Sequence, residues 1–376
     1  MVLQLTDKGP GGGGIRRVVE LHGEILTGAG LDLRRLRLLG PGAASTEAAL
    51  PVRPGWGARP SAQEAEAFRA ALVGADVIHL HLGFHALAPW HVEIAAQVAP
   101  VLAFLHDVSP FRDQLGVGTS AGGWKSLPEG VMARLRAGTR RALWQMLIHR
   151  AAFLVAPSAY LARLAVTAGA VPGRVLHLPH PLAARAAPAM PLGSDPVLLY
   201  AGRLSPEKGV FLLAETLARI GTPGARLIVL GAGPAEKRMK QQVARLGLDQ
   251  RVAFLGQIPP DTVPDHLGRA RAVLHPSLVA EGLGLAGIEA MQAGRPVAGF
   301  GLGGTSDWLI DGRTGLVAPP GDVRALAAAA DRLLCLDGLA EALGASAHDH
   351  VSERFSHETV ARGLLAMTVG AIGALA

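Results

Sequence analysis

Val197-Leu198-Leu199-Tyr200-Ala201-Gly202-Arg203-Leu204-Ser205-Pro206-Glu207-Lys208-Gly209-Val210 decides how the rest of the chain is read. The short apolar run Val197 to Ala201 predicts a buried strand, and the apolar periodicity from Val210 to Ile220 predicts a helix. Between them a turn carries two cations, Arg203 and Lys208, at the carboxyl end of the strand. Open α/β sheets bind ligands at that edge, and an arginine fork beside a lysine point charge suits a diphosphate. A solvated loop with ordinary surface charges fits the same residues.

The strand and helix just described repeat in both directions. Downstream, strands are expected near Leu227 to Leu230, Val252 to Leu255, Ala272 to Leu274 and Val297 to Gly299. Upstream they are expected near Val2 to Leu5, Leu33 to Leu38, Val77 to Leu80, Val101 to Leu105, Phe153 to Val155 and Val175 to Leu178. Ala/Leu/Arg-rich stretches with helical spacing separate them, which is the alternation of parallel sheets with crossover helices. The fold class is α/β. Further helices are expected over Leu326 to Leu336 and from Glu353 to Ala376, after a turn at Phe355-Ser356.

A chain of 376 residues is long enough for two cores. Proline-rich Pro179 to Pro196 lacks apolar periodicity and marks the boundary. The division is residues 1–180, a linker 181–196, a second domain 197–350, and a C-terminal helix 351–376 that packs back on the first domain.

Composition removes several function classes. Hydrophobic residues make up 49% and charged residues 18%, so the chain is globular rather than disordered. The single cysteine, Cys335, excludes an internal disulfide framework and a thiolate zinc cluster, and fits a reducing, cytoplasmic setting. No apolar run reaches bilayer length, and Met1 to Pro10 lacks the blocks of a signal peptide. The net charge of +6 favours anionic partners. Basic and aromatic residues do not interleave as single-strand binders require, so nucleic acid is not an expected partner.

The second chemical signal is Glu281-Gly282-Leu283-Gly284-Leu285-Ala286-Gly287-Ile288-Glu289-Ala290-Met291. Its glycines allow backbone N–H groups to approach an anion at a helix start, and Glu289 can accept hydrogen bonds from ribose hydroxyls. Glu281, in the preceding loop, would face a sugar. A loop acid and a helix surface charge are the alternatives. An isolated carboxylate in an otherwise apolar helix, Leu285 to Ala293, calls for a partner.

Together these segments resemble family 4 of the retaining glycosyltransferases. The resemblance rests on Gly202-Arg203-Leu204 with Glu207-Lys208-Gly209, Gly231-Ala232-Gly233-Pro234, Val252 to Gly256, Glu281 to Met291, Gly294-Arg295-Pro296-Val297, Gly303-Gly304 and Asp311 to Val317. It implies the GT-B fold, two Rossmann-like domains facing each other across a cleft. It also implies a nucleotide-diphospho-sugar donor, with a UDP- or GDP-sugar expected, and a hydroxyl-bearing acceptor that is a sugar, a lipid-linked compound or a small molecule. By resemblance Arg203 and Lys208 hold the diphosphate, Glu281 contacts the donor sugar, Glu289 binds the ribose, and Gly202, Gly231, Gly282, Leu283, Gly284 and Leu285 line the nucleotide site. Two places depart from the family pattern. Ser306 and Asp307 stand where proline and glutamate usually follow Gly303-Gly304, and Leu178-Pro179-His180-Pro181-Leu182 replaces a proline-asparagine-glycine turn.

In the first domain Gly11 to Gly14 follows the first strand and opens a helix, so Gly12, Gly13 and Gly14 are expected near the donor phosphates, with a plain surface loop as the alternative. His106, at a strand end, matches a family position lining the reaction centre; a structural histidine fits equally. His79, His81, His85 and His91 invite a metal reading, but Arg203 and Lys208 already neutralise the diphosphate, so no metal or other cofactor is expected. The basic segment Val131 to Arg150 offers either a peripheral contact with the inner membrane face or a solvated face over a buried one. Two rival functions keep the fold: a nucleotide-binding subunit without turnover, and a dinucleotide oxidoreductase. The second is weakened because Glu236 stands where the third glycine of the fingerprint belongs.

Overall fold

The computed structural model describes residues 1–7, 13–39, 49–51, 59–83, 86–111, 131–182, 192–193 and 195–373. The chain divides into two compact units, Met1–Pro181 together with His357–Ala376, and Leu182–Ser356.

Unit one holds a seven-stranded sheet of order β3-β2-β1-β4-β5-β6-β7, formed by β1 Val2–Thr6, β2 Leu33–Leu39, β3 Ala49–Pro51, β4 Val77–His81, β5 Val101–Phe104, β6 Phe153–Ala156 and β7 Val175–His177. All its pairings are parallel. Strands β1, β4 and β5 are buried along their whole length, as a sheet covered on both faces requires. One face is aliphatic, with Leu3, Leu5, Leu36, Leu38, Ile78 and Leu80 in a single core. The other lies under the helices Gly13–Gly28 and His357–Gly373. There Val2, Val77 and Phe104 pack with Val360, Leu364 and Ala371 of the last helix.

Unit two holds a six-stranded parallel sheet of order β10-β9-β8-β11-β12-β13. Its strands are β8 Val197–Ala201, β9 Arg226–Leu230, β10 Val252–Gly256, β11 Ala272–His275, β12 Val297–Phe300 and β13 Gly315–Ala318. In each sheet the chain starts in the middle, winds to one edge, then crosses to the other side. Ligand crevices form at such a reversal, which falls between β1 and β4 in unit one and between β8 and β11 in unit two.

The structure adds elements that the apolar pattern does not announce. Strand β3 spans three residues and ends in Pro51, and β13 opens on Gly315, so neither presents a β-branched run. The turn expected at Phe355-Ser356 separates the helices Asp337–Phe355 and His357–Gly373. The first of these carries Gly344 in its interior, where a Cβ would lie 2.4 Å from the Gly294 carbonyl oxygen. That glycine lowers local helix propensity and serves a close helix-to-backbone contact.

Candidate active site

The cations, glycines and Glu281 of unit two meet at the carboxyl ends of β8, β9 and β11. Gly202 and Gly231 end β8 and β9, and their backbones nearly touch: a Cβ on Gly231 would lie 1.9 Å from the Gly202 carbonyl oxygen. Gly233 approaches the Leu204 carbonyl equally tightly, at 2.3 Å. Leu204 N–H donates to Ala232 O and Ala235 N–H donates to Leu204 O, at 3.0 and 2.9 Å. The glycine pair that suggested a dinucleotide fingerprint is thus consumed in joining two loops.

Arg203 is exposed, and among the described residues it forms no ion pair. Lys208 closes a short turn, Pro206–Lys208, held against β11 through Gly209. Gly209 has φ +67°, and a Cβ there would sit 1.8 Å from the Pro276 carbonyl oxygen, so no other residue fits. The same turn accepts a bond from Leu278 N–H at Glu207 O, 2.9 Å.

Those contacts aim Lys208 at Glu281. Its Nζ donates to Oε1 and Oε2 at 2.5 and 2.6 Å. Glu281 is fixed from the other side by a bridge to Gly303 and by Gly304 N–H donating to its carbonyl at 2.8 Å. Burial alone would raise the Glu281 pKa. The Lys208 ammonium, His275 and hydrogen bonds from Lys208 and Ser277 together outweigh it and hold the carboxyl below its ordinary value. His275, at the end of β11, has Nε2 3.9 Å from Glu281 Oε1. Burial pushes its pKa down to about 4, more than the carboxylate raises it, so the ring is neutral near pH 7.

The helix Leu285–Gln292 begins beyond Glu281, with Gly284 in the left-handed region at φ +90°. Gly282 and Leu283 are buried, and Leu285 is the first helical residue. The first amides of any helix lack intrahelical acceptors, so this end presents N–H groups. Gly287 serves a different purpose from anion approach: a Cβ there would lie 2.0 Å from the Trp308 ring. The indole, fully buried, donates from Nε1 to Leu283 O at 2.6 Å and fixes the loop that carries the glycines. Glu289 occupies an exposed position of this helix, so its carboxylate is not sunk among the apolar residues around it in sequence. Asp307 is partly exposed, and its backbone oxygen lies 3.2 Å from His350 Nε2.

His106 lies in unit one, buried among rings. Its Nε2 is 3.2 Å from His81 Nδ1, and it stacks on His180 at 5.1 Å. His22 adds to the group, 5.4 Å from the His81 ring. Burial, then the neighbouring histidines, hold His81 and His22 well below the ordinary imidazole value, and burial takes His180 and His79 to about 3. His79 faces Thr368, whose hydroxyl donates to Leu364 O. The Thr368 oxygen therefore accepts, which assigns the proton of His79 to Nε2. His91 stands apart, its Nδ1 accepting from Ala88 N–H at 3.0 Å at a helix start. Among the described residues no three His, Cys, Asp or Glu side chains converge as a metal ion would need. Gly13 and Gly14 are the first residues of the helix Gly13–Gly28; Gly12 and His85 lie outside the described residues.

Several residues at these edges were not singled out from sequence. Asp7, just past β1, is buried and accepts from Gly83, Ala86 and Leu87 N–H at 2.7, 3.0 and 3.1 Å. His275 ends β11 and Asp7 follows β1; a strand end is the position rule that selected His106, so that signal could have found them. Trp308 and Tyr200, whose hydroxyl donates to Arg203 O at 3.0 Å, carry no comparable signal. In the basic segment Val131–Arg150, the side chains of Leu143, Trp144 and Leu147 are buried in the unit-one core. These apolar groups are not available to a membrane, while Arg141 and Arg150 are exposed.

Residues 189–350 match the family described as glycosyl transferases group 1. The chain is 36% identical over 174 residues to a 2-deoxystreptamine N-acetyl-D-glucosaminyltransferase of Streptomyces fradiae, covering 45% of this chain and 41% of that one. It is 32% identical over 161 residues to a GDP-mannose-dependent alpha-(1-6)-phosphatidylinositol monomannoside mannosyltransferase of Mycolicibacterium smegmatis, with 41% and 42% covered. The chain thus spans about two fifths of the length of these relatives. Among solved structures, Anabaena HepE in complex with UDP and glucose has a TM-score of 0.74 at 20% identity, with 98% and 99% of the chains covered. Sucrose-phosphate synthase from Thermosynechococcus elongatus has a TM-score of 0.77 at 23% identity over both whole chains. These likenesses show the fold, the two Rossmann-like units of GT-B.

Proposed function

We propose that the chain is a retaining glycosyltransferase that moves a sugar from a nucleotide-diphospho-sugar to a hydroxyl acceptor. The observation that carries this reading is the pairing of Lys208 with Glu281, beside an exposed Arg203 that forms no ion pair among the described residues, at the carboxyl edge of the unit-two sheet. The family match over residues 189–350 and the UDP complexes of similar folds support it.

In the proposed reaction the bond from the anomeric carbon to the diphosphate oxygen breaks, and its electron pair leaves with the diphosphate. Arg203 and Lys208 stabilise that charge where it develops, with the first amides of the helices at Gly13 and Leu285 as neutral donors. The acceptor oxygen attacks the same face of the sugar, and its proton passes to the departing phosphate oxygen. Glu281 accepts hydrogen bonds from sugar hydroxyls and orients the ring. Glu289 takes the ribose hydroxyls, and His106 keeps the part at the donor sugar that the family resemblance gives it. With two cations on the diphosphate, the reaction is assigned no metal.

The donor is a UDP- or GDP-sugar. The acceptor is a sugar, a lipid-linked compound or a small molecule, the range suggested by relatives named for 2-deoxystreptamine and for a phosphatidylinositol mannoside. We assign the reaction to the cytoplasm, at the inner membrane face when the acceptor is lipid-linked; no described helix is long and apolar enough to cross a membrane. Purified protein incubated with UDP- and GDP-sugars should release nucleotide, slowly alone and faster with acceptor, whether or not chelator is present. The anomeric proton coupling of the product should match that of the donor. Absence of nucleotide release across donors and acceptors would overturn the reading.

A further inference from the structure

Beside the Lys208–Glu281 pair, His275 Nε2 is shielded from solvent and has no hydrogen-bond partner among the described residues. Glu281 Oε1 lies 3.9 Å away, too far for a bond. An unpaired buried nitrogen carries a desolvation cost, so its position calls for a reason. A carboxylate opposite Nε2 favours the tautomer that carries the proton there, since a lone pair would be repelled. Nε2–H is thus a donor facing Glu281 and held just out of reach.

The ring is wedged in place, whereas the carboxylate can turn. His275 pairs with Gly299 on β12, where a Cβ would stand 2.9 Å from the His275 Cβ and 2.5 Å from its carbonyl oxygen. The imidazole meets the fully buried Trp308 ring edge-on at 5.3 Å. Its Cε1 faces Gly284, where a Cβ would lie 3.5 Å away. Glu281 is fixed at its backbone: it bridges Gly303, where a Cβ would come within 2.7 Å of the Glu281 carbonyl oxygen. Its side chain still rotates about its own bonds, and a shift of about 1 Å brings the carboxylate to hydrogen-bond length from Nε2.

Lys208 holds the carboxylate off the ring, because its Nζ bonds both oxygens at 2.5 and 2.6 Å. It is also the more exposed partner, the one an incoming anion reaches. A diphosphate that draws the ammonium off leaves a buried carboxylate short of donors, which is costly. Ser277 has one hydroxyl proton, for which the Val279 carbonyl competes at 3.3 Å, and the Tyr200 hydroxyl is committed to Arg203 O. We infer that His275 is a positioning residue: its Nε2–H takes over the Glu281 carboxylate when the donor's diphosphate draws Lys208 away. One carboxylate oxygen is then held by the ring, and the other is presented to the sugar. This role rests on the transferase reading, in which Lys208 holds the diphosphate.

The experiment titrates the full chain, isotope-labelled at the histidine nitrogens, with UDP and with GDP. The His275 signal, assigned by its loss in His275→Gln, should show Nε2–H moving downfield as nucleotide saturates the protein, the mark of a new bond to a carboxylate. His275→Leu should weaken nucleotide binding about 10- to 100-fold, the loss of a hydrogen bond to a charged group. His275→Gln, whose amide still donates, should recover part of that loss. In the Glu281→Gln background, where no charge is handed over, His275→Leu should cost little more; a merely structural ring would cost the same in both backgrounds. If His275→Leu does not fold, the shift in the parent and the affinity of His275→Gln decide. A parent that binds UDP or GDP with its His275 signal unmoved overturns the inference alone, as does a folded His275→Leu protein that binds as tightly as the parent. A parent that binds neither nucleotide overturns the UDP or GDP donor of the transferase reading and the inference with it.

Discussion

Lys208 and Glu281, 73 positions apart in the chain, form a two-oxygen ion pair with Nζ 2.5 and 2.6 Å from the carboxylate oxygens. The pair joins the loop after β8 to the loop after β11, adjacent strands at the sheet reversal. Its carboxylate is the more buried partner, with 11% exposure against 32% for the lysine.

Removing the lysine should therefore harm stability as well as chemistry. Lys208→Ala leaves a buried carboxylate without its main counter-charge, at a cost of about 1–3 kcal/mol once the partial exposure of the lysine is allowed for. In the parent, the Glu281 pKa lies below its ordinary 4.5. The pair therefore contributes stability above that value and loses it as pH falls through the folded pKa. Thermal melts should show the gap between parent and variant widest near neutrality and closing only as pH falls below the ordinary 4.5. A gap independent of pH would contradict the pairing.

Arg203→Ala should separate binding from stability. The side chain is exposed and unpaired among the described residues, so the melting temperature without ligand should stay nearly unchanged, within about 0.5 kcal/mol. Stabilisation by UDP or GDP should fall, with affinity reduced about 10- to 100-fold for a lost charge-assisted contact. Thermal shift across a nucleotide series checks both halves.

Acid should loosen the protein well above the usual carboxylate range. His79 and His180, at about 3 in the fold against 6.5 when exposed, both bind protons on unfolding. Their contribution is complete above 6.5 and is lost as pH falls toward 3, at up to about 1.4 kcal/mol per pH unit for each ring. Denaturant melts between about pH 7 and pH 5 should show this slope. His79→Gln, whose amide can still donate to Thr368, should reduce it by one histidine's share.

Gly287→Ala should destabilise by about 1–3 kcal/mol through overpacking against Trp308. Trp308→Phe in the same chain should recover part of the loss. A double-mutant cycle on chemical denaturation measures the coupling, and purely additive costs would show that the ring is not what the glycine accommodates.

Much of the scaffold was legible because its signals are local. Strands such as Val197–Ala201 and Val77–His81 are short apolar runs, and a turn with two cations followed by a helix shows in consecutive residues. Strand β3 and the helix Asp337–Phe355 were not, because Pro51 and Gly344 weaken the pattern where tertiary contacts decide. Glu289 lies at an exposed position of its helix, a setting that its apolar neighbours in sequence do not reveal.

By itself, then, the sequence determined the alternating α/β build, the cations after β8 and the glycine-flanked glutamate after β11. Tertiary structure decided that Lys208 meets Glu281, that Gly287 makes room for Trp308, that His22, His81, His106 and His180 form one buried cluster, and that Arg35 and Arg37 lie on one sheet face with Gln4 and Thr6. Each of these depends on sheet register and strand order, which bring together residues tens to hundreds of positions apart. Local propensity carries no information about that distance; only strand pairing and packing within each unit do.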